Sequence, residues 1–129
     1  MICWQFWVLH TRTGRNVIAD WRKKDLVAQQ KADMDALILI WKTQKKWDSN
    51  DFKMLGGGLS EFRFRSCKAQ LRLIGFHWPR SPLGAVGNYT FVLGCSHKQR
   101  VYDPPEALTT AADRMENLQR GIGSHHAYS

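Results

Sequence analysis

Four cations, Arg63, Arg65, Lys68 and Arg72, fall close together in a segment that otherwise alternates between apolar and polar, GLSEFRFRSCKAQLRLIGFHW (residues 58–78). A second set, His97, Lys98, Arg100 and Tyr102, sits in the run CSHKQRVY (95–102). These residue types suit metal-free cleavage of a phosphodiester. One group must take the proton of a 2′-hydroxyl, one must stabilise the charged phosphorane, and one must protonate the leaving 5′-oxygen. Histidine titrates in the right range, and a lysine becomes a base when neighbouring cations depress its pKa. The region has no carboxylate cluster of the kind a metal nuclease uses, and no GxSxG or Cys–His motif supplies a covalent nucleophile. The expectation is therefore a site with no metal and no other cofactor. Two other readings compete: a basic sheet that binds RNA without chemistry, and a solvated face whose charge serves solubility alone, with Arg63 simply paired to Glu61.

Charge is concentrated around these residues. The 129-residue chain carries a net charge of +8. Residues 60–100 hold seven basic side chains against Glu61 alone, whereas residues 101–129 hold more acidic than basic ones. A positive field of this kind favours a polyanion, either nucleic acid or an acidic protein. Cys3, Cys67 and Cys95 are odd in number and lack CxxC spacing, which points to reduced thiols. The opening MICWQFWVLH is apolar but short and has no cationic start, so it makes a poor signal peptide. No apolar run approaches the ~20 residues of a membrane span. A cytoplasmic protein with no membrane partner is expected.

The elements that must position the cations can be read from periodicity. Residues 2–10 alternate as a strand with apolar residues on both sides. TRTGR is a turn with Thr13 as a helix cap, and 15–47 follows a helical template through Val17, Ile18, Trp21, Met34, Leu37, Ile38 and Trp41. The polar cluster RKKD (22–25) is placed to divide it into a short and a longer helix, with Lys42, Lys45 and Lys46 in the last turns. DSNDFKMLGGG reads as a loop, and no Lys-Ser/Thr follows its glycines to make a phosphate loop. Strands are expected at 59–66, 70–78 and 89–96, the last two joined by PRSPLGAVGN. Pro104–Pro105 opens a final helix with Ala107, Leu108, Ala111, Met115 and Leu118 on one face, and 121–129 reads as a flexible tail. The six tryptophans read as core packing before base stacking. The order β-α-α-β-β-β-α implies one α+β domain over 1–120, a small, mostly antiparallel sheet with helices packed on one face. Alternation sends Phe62 and Phe64 one way and Glu61, Arg63 and Arg65 the other. With the phenylalanines toward the helices, the arginines line the open face.

In this order, GLSEFRF, LRLIGF and YTFVLGCSHKQRVYDPPEALTTAADRM resemble the RelE/HigB toxin superfamily, in its phage-derived branch. The likeness runs over about residues 50–120. It consists of a Gly-hydrophobic-x-Glu-hydrophobic-Arg strand (Gly58–Arg63), an Arg early in the next strand (Arg72), a Lys-containing turn (Lys98), and a Pro before an Ala-rich last helix with a late Arg (Arg114). The resemblance implies a RelE-like fold. It also implies a toxin of a type II toxin–antitoxin system that cleaves ribosome-bound mRNA without a metal. The implied partners are the mRNA and ribosome, and a cognate antitoxin of helix-turn-helix type. Arg63, Arg72, Lys98 and His97 then become the catalytic candidates, and Arg65, Lys68, Arg100 and Tyr102 the substrate contacts. The chain departs from the family's usual Lys-Lys pair, having His97–Lys98–Gln99–Arg100 there. The alternative is a RelE-fold protein without catalysis that binds RNA, an acidic antitoxin or a host protein through the same surface.

Overall fold

A computed structural model describes residues 1–128. The segment that opens the sequence reading is a hairpin of β3 (Leu59–Ser66) and β4 (Ala69–Phe76), and it lies in the middle of a larger sheet. Around it the chain forms β1 (Trp4–His10), α1 (Val17–Asp25), α2 (Ala28–Trp41), β2 (Phe52–Gly56), β5 (Gly87–Lys98), β6 (Val101–Asp103), α3 (Ala107–Gln119) and β7 (Ser124–Ala127). The sheet order is β2-β3-β4-β5-β1-β7, and β6 pairs with the end of β5. Every pairing is antiparallel except β1 with β5. The α+β class and the mostly antiparallel sheet agree with the sequence reading.

The helical stretch does divide, at Leu26–Val27, just after the RKKD cluster. The α1 cap is Asn16, not Thr13. The Asn16 side chain accepts a bond from the Ala19 amide at 2.9 Å, filling one of the donors left open at a helix start. The Gln30 side chain accepts from the Val27 amide at 2.9 Å and so closes the first turn of α2. α2 stops at Trp41, so Lys45 and Lys46 lie beyond it rather than in its last turns. The chain folds back there: the Trp47 indole donates to the Trp41 carbonyl at 3.0 Å.

Register assigns the two faces, because directly opposed residues share one. Phe62 and Phe64 oppose Leu73 and Leu71, while Glu61 and Arg63 oppose Ile74 and Arg72. On the first face, Trp41 of α2 stacks on Phe62 at 4.5 Å between ring centroids. Trp21 of α1 lies so close over Gly94 that a β-carbon there would come within 2.1 Å of its ring. α3 lies on the other face, which corrects the expectation of helices on one face only. It contacts β4 and β5. Its Arg114 donates to the Val92 carbonyl at 2.9 Å, and Arg114 and Asn117 share a cavity with Leu9. The physical reason is that β4 and β5 are apolar on both sides. Ile74 and Leu93 are buried like Leu73 and Phe91, and strands buried on both faces need a layer on each.

Two further corrections concern the sheet edges. Residues 52–56, read as loop, are β2, and Lys53 stands opposite Glu61. Gly56, which ends this strand, and Gly57 and Gly58 after it make the return, all at positive φ (91°, 63° and 91°), which glycine adopts at no steric cost. Residues 124–127, expected within a flexible tail, form β7 along the otherwise free edge of β1. Trp7 meets His125 edge-on at 4.8 Å, His10 packs on His126 at 3.9 Å, and the Tyr128 hydroxyl donates to Asp35 at 2.7 Å. Ser129, the last residue of that expected tail, lies outside the described residues.

Candidate functional site

The second sheet face is covered by α3 at one end only. At the other end, toward the β3–β4 turn, it carries a charged cluster built on Glu61. This carboxylate is 1% exposed, accepts hydrogen bonds from two partners and lies within ion-pair distance of a third. Arg63 Nε donates to Oε2 at 2.6 Å, Arg72 Nε stands 3.4 Å from the same oxygen, and the Tyr102 hydroxyl donates to Oε1. Arg63 and Arg72 face each other directly across the β3–β4 ladder, an arrangement that repels unless an anion lies between them. Glu61 serves both arginines.

Arg72 is 7% exposed. Its Nη1 donates to the Leu71 carbonyl at 3.0 Å, and its Nε, though near Glu61, has no aligned hydrogen-bond partner. Burial lowers the Arg72 pKa, and the Glu61 charge opposes that. β6 brings Tyr102 opposite His97, with ring centroids 4.9 Å apart and planes nearly perpendicular. The His97 pKa is lowered, first by burial and then by the Arg72 charge. Arg63 and Lys53 lower it further, and Glu61 opposes them. The imidazole is therefore neutral, and able to accept a proton, near pH 7. The Tyr102 phenol is raised by burial and by its bond to Glu61. Cys95, opposite Arg72 on the same face, is pushed up to about 12, mainly by burial. It is a neutral thiol with no nucleophilic character at physiological pH.

The structure thus brings Arg63, Arg72, His97 and Tyr102 together. Arg65 follows Arg63 on the same face, exposed and opposite Gln70. Lys98 does not join them. It follows His97 in an extended strand, so alternation turns it to the first face, where it shares a cleft with Trp21, Gln30 and Leu71. Lys68 and Arg100 sit in two-residue turns, β3–β4 and β5–β6. Sequence reasoning missed Lys53, because it lies in a stretch read as loop. Its only signal was the short alternation of Phe52, Lys53, Met54 and Leu55 before the glycines.

With a neutral imidazole, a phenol and the Arg63 guanidinium half-buried beside the buried Arg72 guanidinium, the cluster can hold a phosphate group and exchange protons with it. Among the described residues, no helix is long and apolar enough to cross a membrane. No family model matches the chain, and neither does any curated protein or solved structure.

Proposed function

We propose that this protein is a RelE/HigB-type toxin: a cytoplasmic, metal-independent endoribonuclease that cleaves ribosome-bound mRNA and is held in check by a cognate antitoxin. The observation that carries the reading is the convergence of half-buried Arg63, His97 and Tyr102 with buried Arg72, and Lys53 beside them, around buried Glu61 on one sheet face. In the proposed reaction His97 takes the proton of the 2′-hydroxyl, whose oxygen attacks the adjacent phosphorus. Arg63 and Arg72 stabilise the charge of the phosphorane. The bond to the 5′-oxygen breaks, and the Tyr102 hydroxyl supplies that oxygen's proton. The products are a 2′,3′-cyclic phosphate and a free 5′-hydroxyl. Lys98 has no part in this scheme, because it belongs to the other face.

One observation favours the non-catalytic alternative. Glu61 engages both arginines and the tyrosine, so part of their capacity to bind and stabilise an anion is already used. The experiment that separates the readings treats ribosome-bound mRNA in magnesium buffer, and free mRNA with and without EDTA, with purified protein and maps the ends. Cleavage with cyclic-phosphate ends, lost in His97→Gln and falling below the lowered His97 pKa, is the expected result. Folded protein that binds RNA and leaves it intact would overturn the nuclease in favour of a binding protein.

A further inference from the structure

The turns β3–β4 and β5–β6 lie side by side at one end of the sheet, and together they line a cleft of about 450 Å³. Its walls include Cys67, Lys68, Gln70, His97, Lys98 and Gln99. His97 belongs both to this cleft and to the cluster around Glu61. Both turns place two consecutive non-glycine residues at positive φ, Cys67 and Lys68 at 53° and 66°, Gln99 and Arg100 at 49° and 69°. Two-residue turns of this hand ordinarily take Asn-Gly. Here each instead carries a long cation at its second position. Arg65, Lys68, Lys98 and Arg100 are exposed, and none has an ion-pair partner among the described residues. Arg63 and Arg72, which are paired to Glu61, lie further in. α3 closes the opposite end of the face.

We infer that the two turns form a track for the backbone of a single-stranded RNA as it leaves the cluster. The strand passes from Arg63 and His97 by way of Arg65 over the turns, where Lys68, Lys98 and Arg100 contact successive phosphates. Lys98 then has a role although it faces away from the reacting groups. Asp25 and Asp103 stand on its face and bound the track there. The inference rests on the RNA reading of the cluster and adds to it a second subsite.

The test uses the intact protein and fluorescent 2′-O-methyl oligouridylates, which cannot be cleaved, as a trinucleotide and a dodecanucleotide, followed by anisotropy across a salt titration. The dodecamer should bind wild type more tightly than the trimer. The triple change Lys68→Gln, Lys98→Gln, Arg100→Gln should remove that advantage and leave trimer binding in place. It should also make the salt slope of dodecamer binding shallower by about 2, the value for three lost phosphate contacts on a single strand. Lys68→Arg together with Lys98→Arg should retain the advantage, and thermal melts confirm that each variant is folded. If the triple variant keeps the wild-type dodecamer affinity and slope while trimer binding still requires Arg63, the track is wrong and the cluster reading survives. If wild type binds neither oligomer, both fall. If it binds a polyglutamate peptide through the three cations and not RNA, the turns dock an acidic protein and the track is overturned.

Discussion

Glu61 decides whether the cluster can exist. Two guanidiniums opposite each other on a ladder repel, and Arg72 is nearly as buried as the carboxylate that balances it. Removing one partner of a buried ionic group leaves the others uncompensated, at a cost of roughly 3–5 kcal/mol. Glu61→Ala is therefore expected to destabilise the fold by about that amount, measured by denaturant unfolding. A loss under about 1 kcal/mol, the range of exposed pairs, would mean that Glu61 does not hold the arginines. At this scale much of the site was legible. Alternation alone put Glu61, Arg63 and Arg65 on one side, and residue type and position, independently of any resemblance, singled out Arg72 and His97. Lys98 stands apart from that set for a simple geometric reason: His97 and Lys98 are consecutive in an extended strand and cannot face the same way. Treating them as one basic pair merged two faces.

The strands and helices that carry the cluster were legible where their periodicity was long, as in α2 and the β3–β4 hairpin. They were not where a strand is short and exposed. β2 has only Phe52 to Leu55 before its glycines, and β7 is a four-residue strand whose two histidines carry no β signal. Such strands form because a neighbour offers an open edge, information that is absent from their own sequence. The side of the sheet taken by α3 is likewise a tertiary property. The turns hold a further test. A non-glycine residue in the left-handed region costs roughly 1–2 kcal/mol, part of which glycine returns as unfolded-chain entropy. Arg100→Gly, at φ 69°, should raise stability by about 0.5–1 kcal/mol in thermal or denaturant melts, while weakening dodecamer binding. Destabilisation instead would show that the Arg100 side chain packs in a way that outweighs its backbone strain.

For the molecule as a whole, the question is how a chain with net charge +8 keeps a basic surface without losing its fold. The answer lies in the separation of charge from core. One face of the sheet is filled by rings, with Phe62 packed among Trp41, Trp47, Phe6 and Tyr89 at centroid distances of 4.5 to 5.7 Å. α3 with Ile74 and Leu93 fills part of the other. The uncovered end of that second face is left to the cations, which stay apart because water screens them and Glu61 lies between the innermost two. A polyanion that binds this end of the folded chain, and not the unfolded one, must stabilise it by mass action. With dodecanucleotide at one hundred times its dissociation constant, the unfolding free energy should rise by about 2.7 kcal/mol. Sodium chloride at matched ionic strength should give a smaller gain, since it only screens. In Arg63→Gln with His97→Gln the RNA-specific gain should shrink. Equal stabilisation by salt and by RNA in wild type would mean that the surface repels itself without recognising anything. A gain specific to RNA that disappears with two residues on one sheet face would tie the charge excess, the exposed end of the sheet and the cluster around Glu61 to one ligand.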